Sequence, residues 1–178
     1  MTLEEFHQSI ANCSKCALCQ SRTQVVPGTG NPHASIMFIG EAPGKNEDIQ
    51  GEPFVGAAGK FLNEMLAEIG LKREDIFIAN TVKCRPPNNR DPLPEEIKTC
   101  LPYLKQQILL IKPKVIVTLG RFSMNLFFPD AQISKVHGQI LMKDSLKVIA
   151  LYHPAAALYN GGMRETLKQD FQVLKKFL

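Results

Sequence analysis

Four short apolar runs stand out along the chain: Ser35–Ile39, Ile76–Asn80, Val115–Leu119 and Lys147–Leu151. Each is rich in β-branched residues and lacks the strict polar alternation of a strand with one wet face, so each predicts a strand buried on both sides. Between them, apolar residues recur at helical spacing over about Lys60–Ile69, Pro94–Ile111 and Arg121–Phe127, and a last helical pattern runs from about Met163 to Phe177. At the start, Thr2 with Glu5 forms a capping box ahead of Leu3, Phe6 and Ile10 on one helical face. Alternating strands and helices imply crossover connections and a mainly parallel sheet covered on both faces. The fold class expected is therefore α/β, a three-layer α/β/α sandwich around a central, mainly parallel four-stranded sheet. The stretch Arg85–Pro92 is dense in turn formers and predicts irregular backbone. No repeat, low-complexity tract or linker interrupts the pattern, so residues 1–178 read as one domain.

Composition narrows the class without choosing a function. With 178 residues, 44% hydrophobic and 21% charged, the chain suits a globular domain with a substantial core. No apolar stretch is long enough to span a bilayer, and Met1–Glu5 is acidic where a signal peptide needs basic residues, so a cytoplasmic protein is expected. A net charge of +4 suits a polyanionic partner and equally suits many metabolic enzymes.

Five cysteines in such a chain argue for metal or cluster ligation rather than a disulfide framework. Cys13 and Cys16 are separated by two residues, and Cys84 and Cys100 by fifteen, with Cys19 left over. A close pair and a distant pair can complete four-fold thiolate ligation and tie the N-terminal segment to the body. Both zinc and an iron–sulfur cluster satisfy that spacing.

The segment from Gly40 to Gly59, GEAPGKNEDIQGEPFVGAAG, follows the first buried strand and leads into a helix. In open α/β sheets, ligands bind beyond the carboxyl ends of the strands. Its glycines permit close backbone approach, Glu41, Glu47 and Asp48 carry charge, and Phe54 offers a flat stacking face. Asn80 and His153 also sit at the ends of predicted strands. Taken singly, Phe54 reads as core, Asn80 as a turn cap and His153 as a buried histidine. Three such residues at strand ends beside one glycine-rich segment point instead to a site.

That segment, GEAPG with Glu47-Asp48 and then Gly51-Glu52-Pro53-Phe54-Val55-Gly56, resembles the first motif of the family 4 uracil-DNA glycosylases, and His153-Pro154-Ala155-Ala156-Ala157-Leu158 resembles their second. The resemblance runs from about Cys13 to Leu158. It implies a monofunctional N-glycosyl hydrolase that removes uracil from DNA, leaving an abasic site and starting base excision repair. It also implies a [4Fe-4S] cluster on Cys13, Cys16, Cys84 and Cys100, with Cys19 outside the set. In this reading the uracil site comprises Gly40, Glu41, Ala42, Phe54, Asn80 and His153. Phe54 stacks on a flipped base, Asn80 presents donor and acceptor to its edge, and His153 donates to O2 as charge develops. Ala42 cannot orient water as the aspartate of a Gly-Gln-Asp-Pro motif does, which leaves that role between Glu47 and Glu41. Glu47 is the choice as electrostatic stabiliser of the sugar cation.

Phosphate contacts are expected from Lys45, Arg85, Arg90, Lys135 and Arg164, with Leu158 as a wedge into the space left by the flipped base. The partner implied is uracil-containing DNA, single- or double-stranded, bound by a monomer. Two other readings compete: a non-catalytic nucleic-acid-binding module with a structural metal, and a relative that traps uracil-DNA covalently through a histidine. Against the latter, none of His7, His33, His137 and His153 lies between Cys84 and Cys100.

Overall fold

A computed structural model describes all 178 residues. Six strands form one sheet: β1 (Thr29–Gly30), β2 (Ile36–Gly40), β3 (Phe77–Asn80), β4 (Val115–Leu119), β5 (Ile140–Lys143) and β6 (Leu146–Leu151). Their order is β1-β3-β2-β4-β6-β5, with the inner four parallel and the two edge strands antiparallel. The expected four-stranded sheet is thus its parallel centre. The edge strands escaped the hydrophobic pattern because β1 spans two residues and β5 is largely exposed, so neither carries a buried apolar run.

The helices are α1 (Leu3–Ile10), α2 (Lys45–Gln50), α3 (Ala57–Glu68), α4 (Pro94–Ile111), α5 (Arg121–Phe127), α6 (Ile133–Val136) and α7 (Gly161–Phe171). Successive side chains of a strand point to opposite faces. Ile36, Phe38, Val115, Val117 and Ile149 accordingly pack with Phe61, Leu62 and Met65 of α3 and Leu167 and Phe171 of α7. Met37, Ile39, Ile116 and Val148 pack with Leu104 and Ile111 of α4. The three layers follow from that alternation.

Three local expectations shift and one holds. The glycine-rich segment is not a continuous loop, since α2 forms within it and α3 starts at Ala57. The last helix ends at Phe171 and continues as a 3-10 turn over Gln172–Phe177. Within Arg85–Pro92 a tight turn forms at Pro87–Asn89, with Asn88 and Asn89 both left-handed. The capping box at Thr2 and Glu5 is present, with bonds of 2.7 and 3.1 Å.

From β2 the chain passes through α2 and α3 to β3 on one side; from β3 it crosses by α4 to β4 on the other side of β2. Such a reversal leaves a crevice at the carboxyl ends of the strands. On the flank, α1 and the segment after it contribute Phe6, Ile10, Leu18 and Val25 to a smaller core with Val82, Cys84 and Cys100.

Candidate functional site

A cavity of about 420 Å³ opens at the carboxyl ends of β2, β3 and β6. Its lining includes Glu41, Glu47, Phe54, Asn80, Arg90 and His153, residues far apart in sequence. Gly40 lies behind it, where a Cβ would stand 2.4 Å from Asn80 Oδ1 and 2.7 Å from the Phe54 ring. Only glycine lets those two side chains meet over the end of β2.

Phe54 is buried and held at φ 54°, a left-handed conformation rare for a bulky residue. Two contacts fix it. Gly59, in the first turn of α3, lies so close that a Cβ there would come within 1.8 Å of the Phe54 carbonyl oxygen. The Arg73 guanidinium donates to Phe54 O at 2.9 Å, to Asn63 Oδ1 at 3.2 Å and also to Pro53 O. The fixed ring stacks against His153, with centroids 5.5 Å apart and planes 24° from parallel.

His153 stands at the N-terminus of the turn Pro154–Leu158, where its Nδ1 accepts the Ala155 N–H at 3.1 Å. An accepting Nδ1 places the proton of the neutral ring on Nε2. Burial pushes the imidazole pKa down to about 4 against the pull of Glu47, so the ring is neutral at physiological pH. The ring is thereby a fixed N–H donor at the cavity.

Asn80 ends β3 and is buried, and its Oδ1 has no hydrogen-bond partner. A buried acceptor without a partner is costly, and one in the wall of a cavity is suited to a ligand donor. The residues after it are latched to the first motif: Thr81 donates from N and Oγ1 to Gly40 O at 2.9 and 2.8 Å, and Val82 N donates to Glu41 O at 3.1 Å.

The carboxylates divide by environment. Glu47, in the first turn of α2, accepts through Oε1 from the backbone N–H groups of Val55 and Gly56, at 3.3 and 3.4 Å. It therefore braces the loop carrying Phe54 while facing the cavity. Burial and then Asp91 raise the Glu41 pKa above the ordinary carboxylate value, with Arg121 opposing. Asp48 is buried and accepts the Thr23 N–H at 2.9 Å, a structural tie to the N-terminal segment.

A second, smaller cavity on the flank is lined by Cys13, Cys16, Cys84 and Cys100; Cys19 is not part of it. Three donors reach these sulfurs: Arg22 Nη1 to Cys84 at 3.2 Å, the Lys83 N–H to Cys100 at 3.3 Å and Tyr103 O–H to Cys13 at 3.2 Å. The lining holds Lys15, Arg22 and Lys83 and no carboxylate; burial nevertheless pushes the Cys84 thiol up to about 11 against the pull of Arg22, and raises that of Cys100 against Lys83. No three Cys, His, Asp or Glu donors are gathered as ligands of a single ion.

Comparison with known proteins decides the family. The model of the uracil DNA glycosylase superfamily matches residues 27–175. A type-4 uracil-DNA glycosylase of Archaeoglobus fulgidus is 52% identical over 96% of this chain and 90% of its own length. This chain belongs to the type-4 uracil-DNA glycosylase family. Other members include those of Sulfurisphaera tokodaii, 50% identical over 98% of this chain and 84% of the relative, and Thermotoga maritima, 42% identical over 99% and 94%.

Within this type-4 chain the residues singled out from the sequence are not all brought together. Glu41, Ala42, Glu47, Phe54, Asn80 and His153 meet at the large cavity. Of the cationic candidates only Arg90 reaches its lining, and its guanidinium is committed to buried Glu96 at 2.6 and 3.1 Å. Arg85 donates to Asn89 Oδ1 at 2.7 Å, orienting a residue that itself lines the cavity. Arg164 pairs with Glu64 and covers the Phe61 ring, away from the cavity wall. Lys45 and Lys135 are exposed at α2 and α6, and Leu158 is 38% exposed at the end of the turn that begins with Pro154. Pro86, Asn89 and Ala155 also line the cavity. By residue type Pro86 and Asn89 are turn formers only; their place between two candidate ligands, Cys84 and Cys100, is the one sequence signal that marks them.

Proposed function

We propose that this chain removes uracil from DNA by hydrolysing the N-glycosidic bond, leaving an abasic site for base excision repair. The observation that carries the reading is the unpartnered Asn80 Oδ1 in the wall of a cavity whose stacking face is Phe54 and whose fixed N–H donor is His153. Uracil flipped from the stack offers an N3–H to Asn80 Oδ1 and an O4 to its amide, whereas cytosine has no N3 hydrogen and leaves the acceptor unpaired. In hydrolysis the C1′–N1 bond breaks with its electrons going to uracil, water oxygen adds to C1′, and the water proton is released. The neutral His153 Nε2–H stabilises charge growing on O2, and Glu47 stabilises the cationic sugar and positions water. Glu41, with the backbone at Gly40 and Ala42, lines the uracil pocket.

Four cysteines in one cavity, three donors aimed at their sulfurs and neighbouring cations fit a [4Fe-4S] cluster held by Cys13, Cys16, Cys84 and Cys100. When bound, the cluster supplies a covalent tie between the N-terminal segment and the body. On this reading residues 1–178 form one glycosylase domain, acting as a cytoplasmic monomer. Exposed Lys45 and Lys135 offer phosphate contacts, and Leu158 the wedge.

Single-stranded uracil-containing DNA is incubated with the protein and then treated with alkali. Strand cleavage at the uracil position is expected, with none on a thymine control. Retention of the DNA without cleavage would instead identify a binding module.

A further inference from the structure

The base pocket and the cysteine site share one buried strap. Asn80, Thr81, Val82, Lys83 and Cys84 are consecutive, each no more than 6% exposed. The strap begins with the base-facing amide and ends with a cysteine of the second cavity. At its centre the Lys83 side chain turns back: Nζ donates to Asn80 O at 2.8 Å and to Gln107 Oε1 at 2.7 Å. Gln107 is also fully buried; its amide donates to Pro27 O at 2.6 Å and lies 2.9 Å from His7 Nε2. The same lysine's N–H reaches Cys100 Sγ. Burying a lysine side chain is expensive, and here its two oxygen partners are neutral. The arrangement therefore spends stability on holding one backbone carbonyl, that of Asn80.

We infer that Lys83 is a positioning residue for base recognition, setting the Asn80 amide and coupling it to the cysteine site. It touches no substrate and acts through Asn80. The inference rests on Asn80 being the uracil reader. Its consequence is that disturbance at the cysteines reaches the uracil pocket along the strap, whereas disturbance of Lys83 leaves the four cysteines able to bind their iron.

The test uses the iron-loaded full chain, with free uracil as the probe, and compares wild type, Lys83→Met, Gln107→Met, Asn80→Ala and the Lys83→Met/Asn80→Ala pair. Iron content and equilibrium uracil affinity are measured for each. Lys83→Met should keep its iron and weaken uracil binding by roughly three- to tenfold, the scale of one hydrogen bond. Gln107→Met should weaken it less, in the same direction. In the Asn80→Ala background Lys83→Met should add almost nothing, because its effect passes through the residue already removed. Full uracil affinity in iron-loaded Lys83→Met, or an equal further loss in the pair, overturns the inference. If Lys83→Met does not fold, Gln107→Met decides: unchanged affinity there overturns it. If Asn80→Ala alone binds uracil at full affinity, the reader assignment itself falls, and this inference with it.

Discussion

Phe54 and His153 stack 5.5 Å apart, and the contact joins a left-handed residue of the first motif to a neutral imidazole of the second. The stack fixes the imidazole plane, while the Ala155 N–H fixes its tautomer. What enters the cavity is a donor that needs no reorganisation when charge forms opposite it.

That state has a pH signature. The His153 pKa is depressed from 6.5 to about 4, so the unfolded chain takes up this proton at a higher pH than the native one. The resulting penalty is absent above pH 6.5 and grows as pH falls toward about 4. His7 is depressed to about 4 as well and adds in the same direction. Nuclear magnetic resonance titration of His153 should show an Nε2–H tautomer at neutral pH and a midpoint near 4. A midpoint near 6.5 would exclude the buried neutral donor.

Gly59 should tolerate no side chain. A Cβ there meets the Phe54 carbonyl at 1.8 Å, and the loop cannot yield without giving up the stack on His153. Gly59→Ala should cost about 3 kcal/mol by urea unfolding and reduce excision as well. Gly70, with open space around its Cβ position but φ of 80°, should cost only about 1 kcal/mol on the same change.

The cysteine site predicts a brown, anaerobically purified protein containing iron and sulfide, with four of each expected per chain for one such cluster. Cys100→Ala should lose the chromophore and stability together, since the ligands join distant segments. Cys19→Ala should retain both. Stoichiometric zinc without iron would remove the cluster from the account.

Much of this architecture was legible because burial on two faces leaves continuous apolar runs: β2, β3, β4 and β6 all fall where those runs predicted them. The edge strand β5 was not, since exposed Ile140 and Met142 carry no pattern distinct from a loop. Helix α2 was missed because six residues between glycines show no periodicity. The base-facing residues were readable as strand ends plus motif. Their supports were not: Arg73 holding Phe54, Lys83 holding Asn80 and Arg85 holding Asn89 act through long side chains whose targets depend on the assembled fold. For the same reason Arg90 and Arg164 looked like free phosphate ligands, although each has a carboxylate partner.

The central claim is that Glu47 and His153 act on charge present mainly in the transition state. Single-turnover excision at saturating enzyme, with equilibrium binding to uracil-containing DNA in parallel, tests it in Glu47→Ala and His153→Ala. Each should lower the rate by roughly a hundredfold or more, the scale of losing one electrostatic contact, while DNA affinity changes little. Wild-type rates at saturating enzyme in both variants would contradict the account and leave Glu47 as a loop brace and His153 as a turn cap.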